Sequence, residues 1–316
     1  MSLNAEQIVE EAKPVEKTGP DIGLFDGISN HDYHYGKGIS KSGLDLIRQN
    51  PAEFITRKRH PKPPTPAMLL GSAFHCLVLE PEKFDQEYVM EPMDAPRRPT
   101  AAQINAKKPS PDSLAAIEFW KQWDAENEGK TAISTKPGDD PFWQPSDWCR
   151  LHRMRDAILL HPIASILLDP SAGRAEQTCY WVDWQTKKLC KCRPDFINDD
   201  HNLLVDLKST EDASYTGFGQ SVSRYRYHVQ DAYYRDGMHQ IGHTVGGFVF
   251  VAVEKQPPYN VAVYRLGQEE VRVGRLQYES DLMKYKQCHE ADEWPGYPDE
   301  VRDLTLSQFQ LRGFIS

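Results

Sequence analysis

Residues 194–208 of the chain read PDFINDDHNLLVDLK, which places Asp195 11 positions before an Asp-x-Lys. Side chains of a β-strand alternate between its two faces, so Asp206 and Lys208 project together while the leucines and the valine around them face a core. The polar residues 198–202 are typical of a turn. We therefore predict a hairpin that brings two carboxylates and a lysine to one edge.

The preceding run, residues 189–196, alternates in the same way and is predicted to form the first strand of this hairpin. Lys191, Arg193 and Asp195 then share one of its faces. Two carboxylates beside an ammonium group are suited to hold a divalent metal. An isolated Asp-x-Lys is more often part of an ordinary charged surface, so a metal-nuclease interpretation depends on residues elsewhere in the chain.

The composition limits the class of protein. The 316 residues are enough for one large or two modest domains with a substantial core. The net charge of -9 and the pI near 5.7 argue against a globally basic nucleic-acid coat but leave room for a local basic groove. No run approaches the ~18 apolar residues that span a bilayer, and the first residues lack the pattern of a signal peptide. We expect a cytoplasmic protein.

The order of the predicted elements indicates the fold class. Helical patterns come first, followed by three strands over residues 176–208, a long helix over 216–240, two further strands and a last helix. This order predicts one α/β domain with a central mixed sheet flanked by helices. We assign residues 1–22 to a disordered lead-in and residues 23–316 to this domain, with a variable insertion at about 92–147.

Two predicted helices carry further polar residues. Gly71 and His75 are four positions apart and share a helix face, where a glycine lets another backbone or DNA approach and a neutral imidazole can bind a metal. The alternative is a core or capping histidine. Gln230 and Tyr234 are also i and i+4, and such a pair can hydrogen bond to a phosphate or orient a lysine. Taken alone, they fit a partly buried aromatic stripe equally well.

Other charged and aromatic side chains complete the candidate set. Glu176 precedes the first predicted strand and is suited to support a second metal, although a lone acid is by default a solvated surface residue. Arg224 and Arg226 add positive charge that suits DNA phosphates, although ordinary solvent-exposed arginines explain them equally well. The predicted DNA-binding residues are Arg193, Arg224, Arg226 and Tyr227.

Several motifs agree in order with the RecB-like branch of the PD-(D/E)XK nucleases. They are Gly71-x-x-x-His75, Asp195, Asp206-x-Lys208 and Gln230-x-x-x-Tyr234. Longer stretches, among them CRPD at 192–195 and YRYHVQDA at 225–232, are similar to the nuclease domain of the exonuclease VIII (RecE) family. The resemblance covers roughly residues 27–295 and is weak through the predicted insertion. It implies a restriction-endonuclease-like PD-(D/E)XK core with a central mixed β-sheet.

The resemblance also implies an activity. Members of this family are Mg²⁺-dependent exodeoxyribonucleases that digest the 5′-ended strand of linear double-stranded DNA. They leave a 3′ single-stranded tail for recombination by strand annealing, which implies an annealing protein as a partner. They assemble as homo-oligomeric rings, tetrameric in RecE.

By the same resemblance, His75 and the main-chain carbonyl of Leu207 bind the metal together with Asp195 and Asp206. Glu176 is added from its position alone, as a candidate for a second metal. Carboxylates suit Mg²⁺, which prefers oxygen ligands in an octahedral shell. A nitrogen ligand is unusual for Mg²⁺, so we expect Mn²⁺ to substitute for it.

Lys208 is expected to position or deprotonate the attacking water, and we favour positioning and charge stabilisation. Burial and metal charge lower the pKa of a lysine whereas neighbouring carboxylates raise it, and the sequence does not settle the balance. Gln230 and Tyr234 are expected to hold the scissile phosphate or Lys208.

Two alternative functions fit parts of the pattern. One is an endonuclease or single-strand nuclease of the same fold, which cutting of closed circular DNA would reveal. The other is a non-catalytic DNA-end-binding recombination protein. Such a protein would usually have lost at least one of His75, Asp195, Asp206 or Lys208, and all four are present.

Overall fold

A computed structural model gives the fold of residues 22–305. The lead-in assigned to residues 1–22 lies outside the described residues except for Ile22, so that assignment stays a prediction. The helices are α1 Asn30–Tyr35, α2 Lys41–Gln49, α3 Pro51–Arg59, α4 Pro66–Leu79, α5 Pro81–Glu87, α6 Ala101–Ile104, α7 Pro111–Glu126, α8 Asp147–Leu160, α9 Ala164–Leu167, α10 Tyr215–Arg224, α11 Tyr227–Gln240 and α12 Gln268–Ala291. The strands are β1 Gly23–Phe25, β2 Tyr88–Met90, β3 Thr131–Ile133, β4 Gly173–Ala175, β5 Thr178–Val182, β6 Leu189–Cys192, β7 Phe196–Asn198, β8 Leu203–Thr210, β9 Gly247–Glu254 and β10 Val261–Tyr264.

Five strands form the central sheet, in the order β10-β9-β8-β7-β4. β8 and β9 run parallel, with Asp206 opposite Phe250, and the other neighbours run antiparallel. The central sheet is therefore mixed, as predicted. β1, β5 and β6 make a second, antiparallel sheet, and β2 and β3 form a separate parallel pair.

Two hydrophobic cores cover the two faces of the central sheet. Leu204 of β8 packs in the core shared with α11 and α12, whereas Val205 and Leu207 pack in the core shared with α4 and α8. β9 is buried on both faces, which fits its nearly continuous apolar sequence GFVFVAVE. By alternation, Asp206 and Lys208 lie on the α11 side, opposite Val205 and Leu207, as the sequence predicted.

The run 189–196 is not one strand, so that part of the prediction was wrong. β6 ends in the three-stranded sheet and β7 begins in the central sheet, with Arg193, Pro194 and Asp195 crossing between them. Pro194 has no N–H to donate to a ladder and favours a break there. Residues 176–208 therefore hold four strands rather than three. The hairpin itself is confirmed, since β7 and β8 pair antiparallel across the polar turn.

The single helix predicted over residues 216–240 is two helices, α10 and α11. Arg226 lies between them with a left-handed backbone φ of 55°, a conformation that a right-handed helix cannot contain. Its guanidinium donates to Asp45 Oδ1 at 2.6 Å and to Asp281 Oδ2 at 2.5 Å. These contacts with α2 and α12 hold the break in place.

The segment predicted as an insertion, residues 92–147, holds α6, α7 and β3. Trp120 of α7 donates its indole N–H to the carbonyl of Pro96 at 2.9 Å, and the guanidinium of Arg98 lies 3.9 Å from the Trp120 ring centroid. The segment therefore has an internal packing of its own. Among residues 22–305, no helix combines the length and the apolar character that crossing a membrane requires.

Candidate active site

β8 presents Asp206 and Lys208 to the start of α11. The Asp206 carboxylate is 0% exposed, forms an ion pair with the Lys208 ammonium, and accepts a hydrogen bond from Gln230 Nε2 at 2.5 Å. The Tyr227 ring centroid lies 5.1 Å from Lys208 Nζ. The Asp-x-Lys is therefore a buried, hydrogen-bonded group rather than an exposed surface pair.

Asp195 lies at the crossing between the two sheets and is fixed by the neighbouring strand. Its Oδ2 accepts a hydrogen bond from the Leu207 N–H at 2.8 Å. His75 of α4 reaches the same carboxylate, with Nδ1 3.6 Å from Oδ2. The pairing of β7 with β8 thus brings Asp195 beside Asp206 and Leu207, as the hairpin prediction expected.

His75, Glu176 and Asp195 each offer one ligand atom, and these three atoms lie within 4.8 Å of one another. Glu176 follows β4 directly, and its N–H donates to the Asp195 carbonyl at 3.0 Å, which extends the β4–β7 ladder by one bond. Its backbone φ of 51° is left-handed and turns the chain away from the sheet after this bond. The structure therefore brings Glu176 into the site, while Asp206 is directed to Lys208 and Gln230.

The donor set fits a divalent metal. Two carboxylates and one imidazole nitrogen suit Mn²⁺, and the carboxylates alone suit Mg²⁺ with waters completing its shell. Burial, and then the charge of Asp195, raise the pKa of Glu176 to about 8. A cation between these carboxylates would relieve that repulsion.

His75 is in the form that a metal requires. Burial lowers its pKa and outweighs the opposite effect of Asp195 and of a hydrogen bond to the backbone of Leu207. The imidazole is therefore neutral near neutral pH and keeps a lone pair for a cation. The Leu207 N–H donates to Asp195 Oδ2, so the main chain of Leu207 lies beside this ligand.

Lys208 is held in its charged form. Burial lowers its pKa, but Asp206 and Asp195 raise it by more, and the net shift is upward. Burial raises the pKa of Asp206 to about 7, against the attraction of Lys208. A protonated lysine donates hydrogen bonds and offsets negative charge, and it cannot accept a proton from water.

Gln230 and Tyr234 lie on one face of α11, as their spacing predicted. Gln230 contacts Asp206 rather than Lys208. Tyr234 is buried, with a pKa raised well above its ordinary value by burial and then by the charge of Tyr33. Gln230 therefore supports the carboxylate side of the site, whereas Tyr234 packs against Tyr233 and Phe248.

Two of the four predicted DNA-binding residues, Arg193 and Arg226, are engaged within the protein. Contact of either residue with DNA stays a prediction. Arg193 is 7% exposed and donates to Thr178 Oγ1 at 2.8 Å, to Asn30 Oδ1 at 2.8 Å and to the Ile28 carbonyl at 2.7 Å. Arg226, whose side chain is 13% exposed, holds the break between α10 and α11. Both guanidinium groups are therefore positioning groups.

The other two predicted DNA-binding residues differ from these. Arg224 at the end of α10 is exposed, and among the described residues it forms no ion pair. Tyr227 is half-buried and covers Lys208. These two side chains therefore lie on the accessible side of the site.

The segment 28–36 folds against the site, a feature that the sequence did not reveal. Buried Lys191 donates to the main-chain carbonyls of Tyr33 and of Gly36, the latter at 3.0 Å. Burial lowers the pKa of Lys191 to about 8. Arg193 lies over the Tyr33 ring, 4.3 Å from its centroid, and Arg193 is also 4.0 Å from Glu176. Lys191 thus anchors this segment, and Arg193 connects it to Glu176 of the ligand cluster.

Residues 40–304 match a family described as a PDDEXK-like domain of unknown function, DUF3799. The chain belongs to this family. The DUF3799 match includes all of the candidate site, from His75 to Tyr234. It establishes membership among PDDEXK-like domains and supports a nuclease, without showing the RecE family in particular.

The fold is also similar to a solved structure, that of a candidate exonuclease from Eubacterium rectale. The TM-score is 0.52 at 13% sequence identity, and the match covers 92% of this chain and 99% of that one. At this identity the likeness concerns the fold alone, and it confirms the restriction-endonuclease-like core. No curated protein matches the chain.

Proposed function

We propose that this protein is a metal-dependent exodeoxyribonuclease that digests the 5′-ended strand of linear double-stranded DNA with Mg²⁺. The observation that carries the proposal is that two groups of side chains meet where β7 pairs with β8, inside the central sheet. The cluster of His75, Glu176 and Asp195 lies on one side, and the buried Asp206 and Lys208 pair lies on the other.

The ligand cluster has the donors for the metal. His75, Glu176 and Asp195 are its proposed ligands, with Asp206 and the main-chain carbonyl of Leu207 beside them. A bound divalent cation supplies a Lewis acid that acidifies water and neutralises phosphate charge. We expect Mn²⁺ to replace Mg²⁺ because one of the three ligands is a nitrogen.

The chain's own side chains supply positioning and charge. Protonated Lys208 donates to water or to the scissile phosphate and offsets the negative charge that grows in the transition state. Asp206 keeps the ammonium in place, and Gln230 keeps the Asp206 carboxylate in place. This division of roles favours charge stabilisation by Lys208 over a role as a base.

The finer features of the proposal rest on the resemblance to the RecE family. They are the 5′ polarity, the 3′ single-stranded product, recombination by strand annealing with a partner protein, and a homo-oligomeric ring. The description of the Eubacterium rectale structure as a candidate exonuclease agrees with exonuclease activity but does not carry it.

Digestion of linear and covalently closed duplex DNA side by side tests this function. We expect Mg²⁺-dependent release of nucleotides from linear DNA, loss of the 5′-ended strand first, and intact closed circles. Asp206→Asn and Lys208→Met should lose the activity. Asp200→Ala is the matched control, since Asp200 is an exposed acid in the turn of the same hairpin. Cutting of closed circles would replace the exonuclease with an endonuclease, and DNA binding without any digestion would favour an end-binding protein.

A further inference from the structure

A pocket of about 280 Å³ opens beside the candidate active site, between α2 and the break that separates α10 from α11. Lys41, Arg224, Tyr225, Arg226 and Tyr227 line it. Tyr227 belongs to both places, because its ring lines the pocket and also lies over the Lys208 ammonium. A group bound in this pocket is therefore a direct neighbour of the group that Lys208 contacts.

A ladder of aromatic rings leads from the core into this pocket. Phe250 of β9 is fully buried, and Tyr227 stacks on it with centroids 5.6 Å apart and ring planes at 25°. Tyr225 stacks on Tyr227 with centroids 5.7 Å apart and planes at 28°. The ladder ends at Tyr225, which is 49% exposed. An exposed ring at the end of a rigid stack has its orientation fixed before any ligand arrives.

The backbone of Tyr225 is fixed as well. Its carbonyl accepts a hydrogen bond from Lys41 Nζ at 2.5 Å, and the Lys41 ammonium is paired with Asp45 at 2.8 Å. Asp45 also accepts from Arg226, the residue whose left-handed backbone sets the break. Lys41 and Arg226 are thus already paired inside the pocket wall and serve to hold Tyr225 in place.

Arg224 is the pocket cation that forms no ion pair among the described residues. Its guanidinium lies 5.5 Å from the Tyr225 ring centroid, and the side chain is exposed. A planar guanidinium over an aromatic ring is suited to enclose a second planar, polarisable group by stacking and cation–π contact. The pocket therefore combines a fixed ring, an exposed guanidinium and a position next to Lys208.

We propose that Tyr225 and Arg224 form a stacking site for one unpaired nucleobase of the DNA strand that lies in the active site. Every base has an aromatic face, so such a site tolerates any sequence, and it selects a base that is out of the duplex stack. The site favours a frayed or single-stranded end over a closed duplex. This inference rests on the proposed nuclease function and adds a preference for the state of the DNA end.

The test uses DNA with 2-aminopurine, a base whose fluorescence falls on stacking, placed in turn at each terminal position of a linear duplex. Binding is followed with Ca²⁺ in place of Mg²⁺ to slow digestion. We expect quenching at one end position with the wild-type protein and with Tyr225→Phe. With Tyr225→Leu the quenching should disappear, and the Kd should rise at least about fivefold.

The control variant is Tyr215→Leu, because Tyr215 is an exposed tyrosine at the other end of α10 and does not line the pocket. Thermal melting verifies that each variant is folded. Equal quenching and equal Kd for Tyr225→Leu and the wild type, in a protein that digests DNA, would overturn the stacking site alone. Absence of DNA digestion by the wild-type protein would instead refute the nuclease function on which the site depends.

Discussion

Replacing Arg193 with lysine distinguishes a DNA-binding role for this residue from a structural one. The sequence alone favours a contact with DNA, whereas the structure shows a guanidinium enclosed by protein. Its three nitrogens donate to three different acceptors, on Thr178, Asn30 and the Ile28 backbone, at 2.7–2.8 Å. A lysine keeps the charge but has one nitrogen, which cannot reach all three positions.

The cost of Arg193→Lys follows from the bonds that are lost. A charge-assisted hydrogen bond contributes about 1.5–3 kcal/mol, so losing two of the three costs about 3–6 kcal/mol. Asn30 is exposed, so water can replace its lost bond. We therefore expect Arg193→Lys to lower the free energy of unfolding by about 3 kcal/mol, near the lower end of this range. Urea denaturation measures this loss. Limited proteolysis should also show earlier cleavage within residues 28–36, the segment that Arg193 holds.

The matched control is Arg224→Lys, because Arg224 is exposed and the same change there should alter stability by at most about 0.5 kcal/mol. A contact between Arg193 and a DNA phosphate predicts a change in DNA binding instead. If Arg193 neutralised a phosphate, its replacement by an uncharged residue would reduce the salt dependence of DNA binding by about one unit in log–log slope. Unchanged stability of Arg193→Lys, together with a smaller slope for Arg193→Gln, would refute the structural role.

Three further predictions concern the helices and the ligand cluster. Gly274→Ala should destabilise the fold by about 1–3 kcal/mol, because its Cβ would collide with the His228 carbonyl at the start of α11. Gly71→Ala has open space at its Cβ and should instead stabilise α4 by about 0.5–1 kcal/mol. Urea denaturation measures both changes. Burial raises the pKa of Asp231, which is 1% exposed, to about 7, so the folded state loses stability as the pH rises from about 4 to 7. At pH 8 Asp231→Asn should therefore be more stable than the wild type, with a free energy of unfolding higher by up to about 4 kcal/mol. Equal free energies of unfolding at that pH would contradict the shift. Glu176→Gln should weaken Mn²⁺ binding by about tenfold or more in calorimetric titration, and an unchanged affinity would remove Glu176 from the ligand set.

Local alternation was enough to predict the central hairpin and the face on which Asp206 and Lys208 lie. It failed at residues 193–195, where alternation continues although the chain changes sheets. Nothing in the local pattern distinguishes one continuous strand from two that belong to different sheets. Pro194 was the available signal, because a proline in an apparent strand interior argues for an edge or a break.

The burial of the arginines could not be predicted from their neighbours in sequence. Arg193 bonds to Asn30, which is 163 positions away, and Arg226 bonds to Asp45, 181 positions away. Such partners are set by the tertiary fold. In the sequence Glu176 is a lone acid, because only the pairing of β4 with β7 brings it to Asp195.

We propose a metal-dependent exonuclease in which His75, Glu176 and Asp195 hold the metal next to Lys208. Its most direct test is the release of nucleotides from an end-labelled linear duplex as Mg²⁺ is titrated, for the wild-type protein and for Asp195→Asn. We predict release that depends on Mg²⁺, begins at the 5′-ended strand, stops with EDTA and is lost in Asp195→Asn. Equal release by both proteins would refute the role of Asp195, and release that persists in EDTA would refute a metal-dependent exonuclease.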